Sequence, residues 1–491
     1  MDAEVGDEAV KLLGIDVGTT SICGVVVDTA VSGIVDTVTR ANDSQLVIRA
    51  EDELQDANRI MHIVEDILSE TLQRHREIGA IGVSGQMHGI VYLDAQGMPV
   101  SPLYTWRNNL GTRIYKGEMT YADSLYERTG YRVPSGYGLL THYAHVLEQQ
   151  VPTDAAVLCT IADYVTMRLS GLSRPVTDVT LAASLGLFDE RRLTFDVEAL
   201  GNAGIQLSFI PEIAPSCSVI GRTRDGIAVT NAIGDNQAAH LGSVRSLADT
   251  LLVNVGTGAQ VSLMVPEYMV VEGFETRPFL FHHYLLVGAT LSGGGAYALV
   301  ESFFRQVLEL FGASVPASLY ETMEHALQKV TRGAEYISER KLGPYMGERP
   351  SHTTLQVSPK FFGTRQSPEE RGAMTNIGVD NFTPVDLMMG VLHGVVSELF
   401  EYYQQLPSAL RSSIRHLVGA GNAIRKSPYM AQLMAEAFGQ SLLVPRHQEE
   451  AAVGAALCGG KAIECFSSFD EMTSAIHYAN AEWVDESLRD L

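Results

Sequence analysis

Positive charge is scarce in this chain: 35 lysines and arginines stand against 58 aspartates and glutamates over 491 residues, a formal charge of −23 at pH 7. Gripping a nucleic-acid backbone requires a basic face that this composition does not supply, and the same deficit disfavours anionic membrane surfaces. Any phosphate bound here must be held by backbone N–H groups or a divalent metal rather than by clustered lysines. Cysteine is scarce as well. Cys23, Cys159, Cys217, Cys458 and Cys465 are scattered, odd in number and nowhere spaced C-x-x-C, which excludes a disulfide framework and a zinc ribbon. No uninterrupted apolar stretch approaches the ~20 residues of a membrane helix. The acidic residues 1–11 lack the basic and apolar regions of a secretory signal. The G-x-S-x-G, H-E-x-x-H and Walker A patterns are missing. These absences predict a soluble, cytoplasmic protein with neither nucleic acid nor membrane as a partner.

What is present is apolar and rich in glycine. Apolar residues make up 46% of the chain and glycines number 45. A single core rarely grows beyond ~250–300 residues, so two domains are expected. Residues 12–28, LLGIDVGTTSICGVVVD, read as strand, Gly-Thr-Thr turn and strand. Residues 54–72 carry Ile60, Val64, Ile67 and Leu72 at helical spacing, and residues 80–83 form a short strand. Strands and helices keep alternating, which predicts an α/β architecture. LVNVGTGAQV at 252–261 echoes LGIDVGTTSI at 13–22, with the central glycines Gly18 and Gly256 placed 238 residues apart. Two copies of one hairpin imply two related domains, divided here as 1–245 and 246–491. Further on, residues 384–406 read as a long helix, 418–422 run off a strand, and Ser427-Pro428 opens a helix carrying Met430, Leu433, Met434 and Phe438. The polar, acidic stretch 466–491 receives no role.

Several short motifs can carry chemistry. In Asp16-Val17-Gly18-Thr19-Thr20, turn N–H groups and two hydroxyls can hold phosphate oxygens without a cation. Asp16 can anchor Mg²⁺, which needs one or two carboxylates beside phosphate. An ordinary hairpin with a capping aspartate explains the same residues. Gly256-Thr257-Gly258 repeats that chemistry, and Gly293-Gly294-Gly295 offers another close backbone approach. Gly419, Gly421 and Asn422 follow a strand; they lack the third glycine of a dinucleotide fingerprint but suit a shelf under an adenine ring. Asp235, in Gly234-Asp235-Asn236-Gln237 after the apolar run 227–233, is either a base for a substrate hydroxyl or the N-cap of the next helix. Gln86, Met87 and His88 place amide, thioether and imidazole in one loop suited to a polyhydroxylated ligand, with Trp106 as an apolar wall. Core packing of Trp106 and a structural His88 are the plainer readings. His142 and His145 share a helix face without a third ligand, and His282-His283 reads as strand composition.

Taken in order, GIDVGTT, GQMHG, TWRNN, GDNQA, NVGTGA, YMGERP and GAGNA resemble the FGGY family of carbohydrate kinases, from residue 13 to about 458. The resemblance implies an α/β fold of two ribonuclease-H/actin-like domains with a nucleotide- and sugar-binding cleft between them. It implies ATP and Mg²⁺ as cofactors and a small ketose as substrate; a homodimer is left open. On the matching motifs, Asp235 is the implied catalytic base, and Asp16 with Asp235 the metal ligands. Gln86, Met87, His88, Trp106, Asp235 and Asn236 are the implied sugar contacts. Gly18, Thr19, Thr20, Gly256, Thr257, Gly294, Gly419, Gly421 and Asn422 are the implied nucleotide and phosphate contacts. GQMHG is similar to both xylulokinases and sedoheptulokinases. The stretches 160–165, 171–175 and 182–189, together with GAGNAIRKS, look more like sedoheptulokinase, and Trp106-Arg107-Asn108 replaces the Trp-Asn-Asp usual in xylulokinases. Asp235 is then expected to deprotonate the primary C1 hydroxyl of a ketoheptose for in-line attack on the γ-phosphate. Xylulokinase is the alternative within the family, and an actin-like nucleotide-binding module the alternative outside it.

Overall fold

The computed structural model describes residues 10–47, 53–332, 355–364, 367 and 369–479. The acidic residues 1–9, the YMGERP motif at 345–350 and residues 480–491 of the terminal stretch lie outside the described residues.

In the first half, β1 (Lys11–Val17), β2 (Ser21–Asp28) and β3 (Gly33–Ala41) form an antiparallel meander. Consecutive residues of β1 and β2, such as Leu12 and Leu13 or Val25, Val26 and Val27, are all buried, so both faces of the sheet are covered. Helix α1 (Ala57–Arg74) starts where the Asp56 carboxylate accepts from the N–H groups of Asn58 and Arg59. It buries Ile60, Val64 and Ile67 against β2 and delivers the chain to β4 (Ile78–Gly85), parallel to β1. The sheet is completed by β5 (Val219–Arg222), β6 (Ala228–Thr230) and β7 (Ile233–Gly234), in the order β5-β6-β4-β1-β2-β3 with β7 also paired to β4. The apolar run 227–233 is thus two short strands. It breaks at Asn231, whose Oδ1 accepts from the Ser218 N–H and whose amide donates to the Pro215 carbonyl. Residues between β4 and β5 build a separate apolar cluster around Tyr92, Tyr143 and Leu185.

The second half repeats the pattern. It contains β8 (Thr250–Val255), β9 (Ala259–Val265), β10 (Glu275–Pro278), β11 (Tyr284–Thr290), β12 (His416–Ala420), β13 (Leu442–Pro445) and β14 (Tyr478–Ala479). Their order is β10-β11-β9-β8-β12-β13-β14, again a meander followed beyond its first member by the parallel strands β12 and β13, with β14 antiparallel at the edge. The predicted long helix is present as α4 (Pro384–Gln405), started by the Thr383 cap and proline at its first turn, and the Ser427-Pro428 signal opens α5 (Pro428–Phe438). His282 and His283 do not belong to a strand. Phe281 and His282 adopt left-handed φ angles of 54° and 64°, which turn the chain before β11. No helix among the described residues is long and apolar enough to cross a membrane.

Helices α2 (Asp235–Ser243) and α6 (Glu450–Ala462) pack together between the sheets. Although α6 belongs to the second half, it lies on β1, β2 and β4 of the first. The contact is backbone to backbone: a Cβ on Gly82 would sit 1.8 Å from the Ala455 carbonyl oxygen, so only glycine fits there. In exchange, His240 of α2 reaches Ser262 of β9 at 2.9 Å. One apolar cluster joins Leu12 and Leu241 to Leu252, Val418 and Val453.

Candidate active site

Three parallel strands of the first sheet end side by side. Asp16 of β1 is in register with Ser84 of β4, and Gly234 of β7 with Gly85. The carboxyl ends of such strands are where open α/β sheets gather ligands. Here they bring Asp16, Ser84, the Gln86-Met87-His88 loop and Asp235 to one edge. Ser84 donates its hydroxyl to Asp16 at 2.7 Å and contacts the Ala451 carbonyl of α6 at 3.3 Å. Asp235 opens α2, but the cap residue is Gly234 and no side-chain cap bond forms, so the helix-cap reading fails.

Burial pushes the Asp235 carboxyl up to about 7; the neighbouring Asp16 charge adds to this, while the Asn236 N–H and Arg277 pull it down. Burial likewise lifts Asp16 to about 6, against the Ser84 bond and with a further push from Glu449. Two desolvated carboxylates that repel each other fit a hard divalent cation with oxygen ligands. Among the described residues no group of three or more His, Cys, Asp or Glu could form a protein-only metal cage. His142 and His145 instead both bond the Tyr92 hydroxyl, at 2.8 and 3.0 Å.

The first turn is already braced. Thr19 donates to Gln86 Oε1 at 3.4 Å and accepts from the Trp106 indole at 3.1 Å, while Gln55 donates to the Thr19 carbonyl at 2.8 Å. Gln86, buried, also donates to Gln55 at 2.8 Å. Gln86 and Trp106 therefore support the turn, and neither lines the adjoining cavity. Thr20 is exposed and Gly18 half-buried.

Across the molecule, the turn Gly256-Thr257-Gly258 and the start of α3 (Gly294–Leu310) close on each other. The N–H of Gly294 donates to the Gly256 carbonyl, and that of Gly295 to Thr257, each at 2.8 Å. Gly421 adopts φ 90°, and a Cβ there would lie 2.5 Å from the Val255 carbonyl oxygen, so the chain can leave β12 past this turn only as glycine. Gly256, Thr257, Gly294, Gly421 and Asn422 thus gather at one edge of the second sheet, beside the positive end of the α3 dipole. Gly419 does not join them. It is buried inside β12 opposite Val253, with its missing side chain facing Leu442.

A cavity of about 480 Å³ opens between the halves, walled by Met87, His88 and Tyr137 from the first and by Tyr268, Glu275 and Arg277 from the second. His88 holds a left-handed φ of 73° and stacks on Tyr137 at 4.1 Å. Its Nδ1 faces the Ser184 carbonyl at 2.9 Å, which assigns the proton to Nδ1 and makes Nε2 the acceptor. Arg277 was not legible as a site residue, because β10 carries no motif. It donates to Asn236 Oδ1 at 3.1 Å and so ties the second sheet to the residue beside Asp235. Ser84 was within reach of a sequence argument, since it faces Asp16 one strand over.

The N-terminal-domain profile of the FGGY family of carbohydrate kinases matches residues 11–242, and its C-terminal-domain profile residues 251–463. A sedoheptulokinase from Mus musculus is 27% identical, aligned over 91% of this chain and 96% of its own. The crystal structure of a gluconate kinase from Lactobacillus acidophilus superposes with TM-score 0.78 at 20% identity, covering 96% of this chain and 93% of that one. A ligand-bound xylulose kinase from the same organism gives TM-score 0.76 at 21% identity, with the same coverage of 96% and 93%. These structures share the fold: two actin-like, ribonuclease-H-type domains.

Proposed function

The chain belongs to the FGGY family of carbohydrate kinases, and from that premise we propose that it transfers the γ-phosphate of ATP to a primary hydroxyl of a ketose, sedoheptulose foremost, giving sedoheptulose 7-phosphate. The reading rests chiefly on the position of Asp235, at the shared end of β1, β4 and β7, beside Asp16 and next to the cavity bearing His88. A 7-phosphate requires attack by the C7 hydroxyl, so the C1 hydroxyl expected from the sequence is replaced by the other primary hydroxyl of the ketoheptose.

In this mechanism Asp235 orients the substrate hydroxyl and accepts its proton as the oxygen attacks phosphorus in line. Met87 and the His88 Nε2 acceptor line the sugar, and Asn236, held by Arg277, stands next to the base. The turns at Gly18-Thr19-Thr20 and Gly256-Thr257 contribute N–H and hydroxyl donors to the phosphates, and Gly294 holds the second turn in place through its N–H bond to the Gly256 carbonyl; Gly421 and Asn422 form the base shelf. Asp16 and Asp235 would hold Mg²⁺, which when bound offsets the negative charge of the phosphates. The sheets are divided at 245/246. Because positioning and charge stabilisation dominate phosphoryl transfer, the pocket rather than new chemistry decides the sugar.

Steady-state kinetics on sedoheptulose, D-xylulose, D-ribulose, L-ribulose and D-gluconate test the reading side by side. The highest kcat/KM is expected for sedoheptulose. A higher value for D-xylulose favours the xylulokinase alternative, and ATP turnover indifferent to every sugar favours the nucleotide-binding module.

A further inference from the structure

The cavity beside Asp235 is lined by four charged residues, Arg132 and Glu190 from the first half and Glu275 and Arg277 from β10, two of each sign. Arg277 is the most tightly held of them. Its Nε and one terminal nitrogen both donate to Glu275 Oε2, at 2.9 and 2.6 Å, and the other terminal nitrogen donates to Asn236 Oδ1 at 3.1 Å. Only 17% of its side chain is exposed, whereas Glu275 stands at the mouth with 44% exposed. Arg132 lies 4.4 Å over the Tyr126 ring. An enclosed guanidinium beside a substrate cavity is a receptor for carboxylates, because its planar fork matches two carboxylate oxygens. Here the protein's own carboxylate occupies that fork.

We propose that Glu275 and Arg277 form the charge filter of the sugar pocket: Glu275 takes the guanidinium face that an acidic sugar would use, so the pocket accepts uncharged polyhydroxy substrates and rejects aldonates. The inference rests on the ketose-kinase reading and extends it by naming the residues that refuse the acid. An aldonate entering the pocket must displace the Glu275 carboxylate from Arg277 and then lie beside it, a repulsive element of the kind that specific sites use. A neutral ketose meets no such opposition. Removing the Glu275 charge would leave one lining carboxylate against two cations and free the fork for an incoming acid.

The test compares D-gluconate with D-gluconamide, two ligands of nearly equal size that differ in charge, by calorimetric binding to the full-length protein without ATP. Wild type is expected to bind the amide at least as tightly as the acid. Glu275→Gln, at a half-exposed position, should shift the affinity ratio toward gluconate by at least tenfold. Adding Arg277→Met should abolish that gain, and adding Arg277→Lys instead should keep part of it. A ratio in Glu275→Gln within twofold of wild type, at an unchanged melting temperature, overturns the proposal. So does a wild-type preference for gluconate, or failure of both compounds to bind every form. Turnover of sedoheptulose and D-xylulose by wild type judges the ketose reading separately, because the gluconate-to-gluconamide ratio needs no turnover.

Discussion

Asp235 owes its proposed role to its surroundings. A carboxyl lifted to about 7 by burial and by Asp16 is a stronger base than an exposed aspartate, yet still ionises near neutrality. A base works only when deprotonated, so kcat/KM measured against MgATP, which reports the metal-free enzyme, should rise with pH through an acid limb near 7 that belongs to the Asp16–Asp235 pair; a flat profile from pH 5 to 8 contradicts this. Asp163 shows the same physics with no catalytic part. Burial raises it to about 7, against bonds from Thr160. Its folded-state proton affinity exceeds the unfolded one, so its contribution to stability is greatest in acid and is lost as pH rises toward 7. Asp163→Asn should therefore gain on wild type by roughly 3 kcal/mol between pH 5 and 8, measured by denaturant titration at each pH. At this scale the sequence revealed residue types but not their partners. Asp16 and Asp235 could be placed at strand ends, because an apolar run precedes each. Gln86 and Trp106 were assigned to the sugar; both also bond Thr19, a long-range pairing that no local pattern encodes. Arg277 was invisible for the same reason.

Elements fared better, because hairpin grammar and helical spacing are local. Both Val-Gly-Thr hairpins and the helix Pro384–Gln405 stand where the sequence put them. The 227–233 run split because Asn231 needs loop partners, and Gly419 went inside a strand because β13 packs Leu442 against it. Backbone approach at the glycines leads to two predictions. Gly82→Ala forces a Cβ to within 1.8 Å of the Ala455 carbonyl oxygen, so α6 must lift from the first sheet. The cost should be about 2 kcal/mol or more, seen as a lower melting temperature; an unchanged melt would contradict the packing. Gly421→Ala must abandon φ 90° beside the Val255 carbonyl, a strain of about 1–3 kcal/mol. It should weaken ADP binding roughly tenfold while leaving sugar affinity alone, and equal losses of both ligands would argue against a separate nucleotide shelf.

For the whole molecule, the repeat at residues 13 and 252 announced two related halves, but not that a helix of the second packs on the sheet of the first. Residues Ala452 to Gly460 of α6 are all buried, so the helix carries no periodic apolar face, and its sequence is silent about which sheet covers it. With α6 on the first sheet and His240 on the second, the halves share a core. Residues 1–245 and 246–491 expressed separately should each fail to fold; a natively folded 1–245 fragment would show that α6 is dispensable to the first sheet. The central claim is that one carboxyl receives the proton of a sugar hydroxyl while the two halves present ATP to it. Its most direct test is single-turnover ADP formation with and without sedoheptulose, in wild type and Asp235→Asn, alongside sugar binding by calorimetry. The account predicts rapid ADP release only when sugar is present, and a loss of roughly 10²–10⁴ in the variant with sugar affinity nearly unchanged. Near-normal turnover in Asp235→Asn, or equal ADP release without sugar, would contradict it.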